Sequence, residues 1–406
     1  MALYRPFQLE DAKAYVRQSS LFAPDEPLEA QDLADGNVNY VYRVYNPARP
    51  DDRSVIVKQA LPYARIVGES FPMPLDRARI ESRALEVEKT YCPDLVPRVY
   101  RYDPEMALTL MEDLRPRIIM RAGLIHQVRY PRFAQDLGRF MARTLFFTSD
   151  LSLDSDAKKR QVVEFTNPGL CKVTEDLVFT HPLVDHPGNR WNPLIEGDVR
   201  RLQKDELLRA EVADLKMAFM TRAEALLHAD LHTGSIMISE QDTKVIDPEF
   251  AFVGPMSFDI GTLLGNLALA WIAQEFHADD PERRRSYRQW IEGAMREVWE
   301  TFSREFTALW EERAHPEWPR RPYRDTFLAR LLQESAGMGG AELIRRVVGL
   351  AHVMDLESIP DGERRAVAER MAISAGRTWI MERRGVHSVD DLVALVRTAR
   401  DTVLAA

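Results

Sequence analysis

The segment His228–Glu249, reading HADLHTGSIMISEQDTKVIDPE, constrains the fold of this chain more than any other stretch. Two short apolar runs, Ser235–Ile238 and Lys244–Ile246, flank a polar turn at Ser239–Thr243. That is the pattern of a β-hairpin. His228-Ala-Asp230-Leu-His232 precedes the first run, and Asp247-Pro-Glu249 closes the second. A hairpin this short brings its outer ends together, so Asp230, Asp247 and Glu249 are expected in one small volume. Carboxylates so placed repel one another unless a cation neutralises them or substrate chemistry uses them. Hard oxygen ligands suit Mg²⁺, which takes one or two carboxylates and completes its shell with substrate phosphates. His228, Asp230 and His232 also alternate, as three ligands on one side of a strand would, and this leaves a zinc hydrolase as a second reading. A solvated acidic turn is the third.

The residues upstream choose between these readings. Phe7–Gln18 has the pattern of an amphipathic helix starting near Leu9-Glu-Asp11. Apolar residues alternate from Val38 to Val44, a strand reached through the Asp35-Gly36-Asn37 turn. Val55–Gln59 is a second strand, and it carries Lys58 among β-branched residues, either as an outward solvated side chain or as a functional one. Asp76–Lys89 has the charge and 3.6-residue period of a helix packed on one face. Val96–Tyr100 and Ala107–Met111 are further strands, completing a five-stranded antiparallel sheet with one edge segment. Met111-Glu112-Asp113-Leu114 then ends the sheet in a polar turn.

The order of glycine turn, Lys strand, helix, two strands and acidic hairpin resembles the protein-kinase-like fold. There an H-x-D aspartate is the catalytic base and a D-F-G aspartate holds metal. Two departures, Ser235 in place of a metal-binding Asn and Asp-Pro-Glu in place of D-F-G, narrow the resemblance. HADLHTGS followed by DPE is similar to the bacterial 5-methylthioribose kinases, which read H-G-D-L-H-T-G-S and then D-x-E, with Ala229 as the one difference in the octapeptide. Their D-G-N-x-N loop and R-A-R-I-E-S helix also have counterparts, at Asp35–Asn39 and Arg77–Ser82.

The resemblance covers nearly the whole chain. It implies an α+β, bilobal fold with a small antiparallel β N-lobe (residues 1–111), a hinge (112–114) and a large, mainly helical C-lobe (115–406). It implies ATP and Mg²⁺, and transfer of phosphate to the anomeric hydroxyl of 5-methylthioribose in methionine salvage. Asp230 becomes the catalytic base, and Asp247 and Glu249 become the metal ligands. Asp35, Gly36, Asn37, Lys58, Glu81, Glu112 and Leu114 are assigned to the nucleotide, with Glu81 paired to Lys58. Trp191, Arg345 and Arg346 are assigned to the sugar, and Asp259 braces the catalytic loop. A homodimer follows by the same analogy. Kinases of this fold acting on aminoglycosides, choline or homoserine would keep the catalytic residues and change only the substrate pocket.

Composition sets the outer limits. With 45% apolar and 29% charged residues over 406 positions, the chain has core enough for two lobes. A net charge of −9 argues against non-specific nucleic-acid binding. Cys92 and Cys171 lack C-x-x-C spacing, so neither a disulfide framework nor a cysteine zinc site is expected, which favours a reducing cytoplasm. The apolar stretch Ile260–Ala273 is too short and interrupted to span a bilayer, and Met1–Glu10 lacks the core of a signal peptide.

Downstream, helices are expected at Tyr130–Thr148, at Glu206–Leu227 running directly into His228, and at Ile260–Glu275 and Pro281–Ala308. Others follow at Arg324–Ser335, Gly340–Val353, Gly362–Arg384 and Val389–Leu404. Thr180–Asp198, rich in Pro and Gly, is a long irregular loop carrying Trp191. Arg345 and Arg346 point about 100° apart on a helix, so they can face one pocket only near its end.

Overall fold

This computed structural model describes residues 4–33, 38–65 and 68–406. Asp35, Gly36 and Asn37, expected over the nucleotide, fall outside those residues. Helix α1 (Leu9–Arg17) and strand β1 (Glu29–Asp32) lead into β2 (Asn39–Tyr45) and β3 (Ser54–Ala60). A short hairpin of β4 (Tyr63–Ala64) and β5 (Gly68–Pro72) precedes α2 (Arg77–Tyr91), after which come β6 (Val99–Asp103) and β7 (Leu108–Glu112). Five of these strands form an antiparallel sheet in the order β1-β2-β3-β7-β6. The expected edge segment is therefore Glu29–Asp32.

Strand β3 is central, and its period of two decides where Lys58 goes. Val55 and Val57 point to one face, where they join Tyr42, Val44, Leu108 and Leu110 under Phe7, Tyr15 and Val16 of the α1 region. Ile56 and Lys58 point to the opposite face, toward α2 and the helical region. A single register slip would exchange the two sets. The pairing of Val41 with Lys58 and of Lys58 with Thr109 holds the lysine on the cleft side. At the start of α1, Asp11 accepts the Gln8 N–H at 2.9 Å, satisfying one of the helix's open donors.

The second region begins with β8 (Ile118–Ile119), α3 (Met120–Ile125), α4 (Phe133–Phe147), α5 (Ser155–Glu164), α6 (Pro168–Leu177), α7 (Glu196–Gln203) and α8 (Glu206–Thr221). Short 3-10 turns at His181–Leu183 and Pro193–Ile195 punctuate the Trp191 loop. Strands β9 (Ala225–Leu227), β10 (Ile236–Ile238), β11 (Thr243–Val245) and β12 (Phe252–Gly254) frame the acidic hairpin, with a 3-10 turn at Pro248–Phe250. Then come α9 (Ser257–His277), α10 (Pro281–Arg313), α11 (Tyr323–Val348), α12 (Met354–Glu357), α13 (Gly362–Glu382) and α14 (Val389–Ala405). The architecture is an antiparallel sheet in the N-terminal region and a mostly helical C-terminal region. Among the described residues no helix is long and apolar enough to cross a membrane.

Two expectations about helices are corrected. The helix over 206–227 stops at Thr221, and Ala225–Leu227 instead pair with β12. The Leu226 N–H also meets the Thr148 hydroxyl at 3.0 Å, so tertiary pairing overrides a helix-favouring stretch. The two helices expected at 324–335 and 340–353 are one continuous α11. The glycines in and around this helix form a packing seam. A Cβ on Gly261 would lie 2.5 Å from the Ser335 carbonyl oxygen, one on Gly339 would lie 2.7 Å from that of Gly261, and one on Gly376 would lie 2.7 Å from that of Gly340. Helices α9, α11 and α13 thus touch backbone to backbone.

Candidate active site

The loop of residues 228–235, expected from sequence to be catalytic, leaves β9 and returns as β10. Its backbone is held from outside. Asp259, in the first turn of α9, accepts the His228 and Ala229 N–H groups, one on each oxygen and both at 2.8 Å. Ala229 has φ 63°, a left-handed conformation that disfavours any side chain. That explains why glycine suits this position in the resembling family. The side chain of His228 joins the two halves of the hairpin. Its Nε2–H donates to the Ile246 carbonyl at 2.8 Å, and its Nδ1 accepts the Asp230 N–H at 3.2 Å.

His232 works the same way within the loop. Its Nδ1 accepts the Gly234 N–H at 3.0 Å, which leaves the proton on Nε2, 3.4 Å from Asp230 Oδ2. Burial lowers the pKa of both imidazoles despite the carboxylates beside them. Both are therefore neutral with both ring nitrogens engaged, and neither keeps a lone pair for zinc. The zinc-hydrolase reading ends there.

Burial pushes the Asp230 carboxyl up, but His232 and the two arginines outweigh it and hold the group well below the ordinary carboxylate range. Arg345 Nη2 lies 3.7 Å from Asp230 Oδ1. The arginine pair sits near the C-terminal end of α11, where adjacent positions can converge, and both side chains are buried. Glu342, one turn back, holds them by their Nε atoms, Arg345 on Oε2 and Arg346 on Oε1 at 2.7 Å. Asn266 donates to Oε1 at 2.9 Å and accepts Arg121 Nη2 at 2.9 Å, while Arg121 Nε pairs with Asp355 at 2.7 Å. Burial opposes the Glu342 charge, yet the two guanidinium groups hold its pKa at about 2.

Across the cleft, Lys58 bridges two carboxylates, Glu81 of α2 at 2.6 Å and Asp247. Burial alone would neutralise the lysine, but Asp247, Glu81 and Glu249 keep it charged and raise its pKa. Asp247 has left-handed backbone, φ 66°, immediately before Pro248. Burial acts against its charge, Lys58 more than compensates, and its pKa is lowered. Its side chain remains 46% exposed, whereas that of Lys58 is 8% exposed.

The three hairpin acids each meet a different cation: Asp230 lies by Arg345, Asp247 pairs with Lys58 and Glu249 with Arg77. Glu249 turns toward the sheet region, to Arg77 and Asn39. Among the described residues no three His, Cys, Asp or Glu side chains are grouped to hold a metal on their own.

The hinge residues are occupied on one side and open on the other. Glu112 Oε2 accepts the Arg98 N–H at 2.9 Å, and Asp113, whose side chain is covered, pairs with Arg43 at 2.6 Å. Arg117 binds both the Leu114 carbonyl and Asp242 of the hairpin turn, at 2.9 and 2.8 Å. The Leu114 N–H has no acceptor among the described residues.

Trp191 makes its polar contacts to Glu196 and Arg200. Its indole N–H donates to Glu196 at 2.5 Å and its ring lies 5.4 Å from the Arg200 guanidinium, which ties it to α7. The neighbouring Arg190 reaches the Leu350 carbonyl at 2.8 Å, just beyond α11.

Sequence reading missed Arg77, Asn39, Glu342, Asn266 and Arg121. For Arg77 and Asn39 a signal existed, since both lie in segments singled out for other residues.

The chain matches the phosphotransferase enzyme family (APH) over residues 29–300. It is 43% identical to the methylthioribose kinase of Pectobacterium atrosepticum, covering 98% of this chain and 99% of that one. The chain belongs to the methylthioribose kinases. Members from Yersinia enterocolitica (42% identity, 98% of this chain and 99% of theirs) and Geobacillus sp. (40%, 100% and 98%) extend the same full-length match. As a methylthioribose kinase family member the chain is an ATP-using phosphotransferase.

Proposed function

We propose that this chain transfers the γ-phosphoryl group of ATP to the anomeric hydroxyl of 5-methylthioribose, giving 5-methylthioribose 1-phosphate and ADP. The observation that carries the phosphotransfer reading is the Lys58 bridge to Glu81 and Asp247, facing an Asp230 that is braced, ionised and flanked by Arg345. The sugar's identity rests on the full-length similarity to methylthioribose kinases.

Each residue then has a task. Lys58 grips the non-transferred phosphates, and Glu81 keeps it extended. The backbone groups of Glu112 and Leu114 read adenine, and Asp35, Gly36 and Asn37 are assigned to the nucleotide. Asp230 orients the sugar hydroxyl and accepts its proton. An aspartate held so strongly ionised is a weak base, which suits a loose transition state where the proton leaves late. His232 fixes the plane of the Asp230 carboxylate through Nε2–H. Arg345 and Arg346 offer fixed forks of donors to the sugar hydroxyls.

Asp247 and Glu249 fit Mg²⁺, because two hard carboxylates with nucleotide phosphates complete the shell this ion prefers. When bound, the ion neutralises charge on the phosphates. The reading extends to a homodimer in the cytoplasm; Cys92 and Cys171 are free thiols, in keeping with a reducing compartment.

The test is ADP release measured with 5-methylthioribose and with ribose. Loss of the buried methylthio group is worth roughly 10–200-fold in kcat/KM. Preference for methylthioribose in or above that range is expected. Equal use of ribose would refute the substrate assignment while leaving the kinase standing.

A further inference from the structure

Arg77 is the first residue of α2 and is completely buried. Its guanidinium is satisfied on every nitrogen inside the protein. Nε donates to Glu249 Oε2 at 3.2 Å. Nη1 donates to the Leu61 and Pro74 carbonyls at 2.7 and 2.9 Å, and Nη2 to Asn39 Oδ1 at 2.8 Å and the Val38 carbonyl at 3.4 Å. Asn39 closes the ring, donating its Nδ2–H to the same Glu249 Oε2 at 3.0 Å. Both side chains thus use one oxygen of Glu249. The other, Oε1, receives no hydrogen bond among the described residues. From behind, Asn167 donates to the Glu249 and Ala251 carbonyls at 3.0 and 3.2 Å and fixes the backbone of the turn.

An ion pair this deeply buried is a poor device for stability, because removing both charges from water costs about as much as their attraction returns. It is a good device for geometry. A carboxylate whose one oxygen is held by two donors cannot rotate, so the direction of its free oxygen is set. Asn39 opens β2, so the same triangle ties that strand to the turn carrying Asp247 and Glu249.

We propose that Arg77 and Asn39 are positioning residues that hold Glu249 with Oε1 turned toward the nucleotide's divalent cation. The proposal rests on the phosphotransfer reading above. Neither residue touches a reacting atom. Their effect is on how strongly Mg²⁺ strengthens nucleotide binding. Outer partners of metal-ligating carboxylates typically contribute 10–100-fold to metal affinity.

The experiment is calorimetric titration of a non-hydrolysable ATP analogue into wild type, Asn39→Ala and Arg77→Lys, with Mg²⁺ and with chelator, alongside thermal melting. In chelator the three proteins should bind the analogue equally. With Mg²⁺ the wild type should gain affinity, and that gain should shrink by roughly 10–100-fold in the variants. Mn²⁺ titration in the presence of the analogue should show the same loss.

Asn39→Ala keeps the buried Arg77–Glu249 pair intact, so it decides the matter even where Arg77→Lys fails to fold. A folded Asn39→Ala protein with the full Mg²⁺ gain would overturn the clamp and leave the kinase untouched. Wild type without any Mg²⁺-linked gain would instead overturn the phosphotransfer reading, and the clamp with it.

Discussion

Replacing Glu342 by Gln isolates what the buried carboxylate does for the arginine pair. Glutamine has the same shape but only one acceptor oxygen. Three donors converge on the native carboxylate: Asn266 and Arg346 on Oε1 at 2.9 and 2.7 Å, and Arg345 on Oε2. The amide keeps most bonds by placing its oxygen at the Oε1 position, which turns an NH₂ group toward Arg345. Arg345 is thereby released, and it is the arginine 3.7 Å from Asp230. A lost hydrogen bond between charged groups costs about 1.5–3 kcal/mol, and breaking a buried ion pair from one side costs about 3–5 kcal/mol. Stability, read by urea denaturation, should therefore fall by about 3 kcal/mol. A freed guanidinium also loses its aim at the sugar and is drawn onto Asp230. Sugar kcat/KM should drop roughly 10–100-fold, equivalent to about 1.4–2.8 kcal/mol, while KM for ATP stays unchanged. A variant that loses stability but keeps wild-type sugar kinetics would show that Glu342 only supports the fold, and that the arginine pair does not depend on it.

Asp230→Asn should keep nucleotide affinity in calorimetry and lower kcat by roughly 10²–10⁴, the usual range for a positioned base; near-normal turnover would remove Asp230 from the reaction. Asp259→Asn turns one of two acceptors into a donor facing a backbone N–H, so stability should fall by about 1.5–3 kcal/mol and kcat should fall with it. Intact turnover in that variant would mean the loop holds its shape unaided. Glu88 is buried with Oε2 unpartnered among the described residues, and burial together with Asp259 and Glu81 raises its pKa well above 4.5. An acid raised on folding carries no penalty below its unfolded pKa and a growing one above it. Glu88→Gln should therefore gain stability over wild type as pH climbs from about 4.5 upward. Denaturation midpoints at pH 5 and pH 8 that differ equally between the two proteins would refute this.

What sequence revealed, and what it hid, follows physical lines. Lys58 was legible because a strand alternates faces, and a lysine among β-branched residues must lie on one of them. The Lys58–Glu81 pairing needed the resemblance, since no local pattern links a strand to one particular helix carboxylate. Asp259 was legible on the same terms. The Glu342, Asn266 and Arg121 network was not, because helical period tells which face is buried but not which neighbour a buried polar side chain meets. Glu249 was expected beside Asp230 from hairpin geometry alone. Its partner Arg77 could not be named from that geometry. Helix propensity misled at Ala225–Leu227, where β12 offered a partner strand, and α11 runs unbroken through Gly337, Gly339 and Gly340.

The glycine contacts among α9, α11 and α13 have a mechanical meaning. Two turns of this stack lie beside the Asp230 loop: the first turn of α9 carries Asp259, which braces it, and the last turn of α11 carries Arg345 and Arg346. Gly339 lies about 9 Å along the axis from Arg345, at 1.5 Å per residue. Where side chains separate two helices, an added methyl can be absorbed by a rotamer change. Where main chain meets main chain at the distances of Gly261, Gly339 and Gly376, it can only push whole helices apart. The stack therefore behaves as a rigid strut of fixed gauge between the loop that aims Asp230 and the arginines beside it. Alteration far below the cleft would reach the sugar as a displacement of its binding groups, with every residue around Asp230 unchanged in kind.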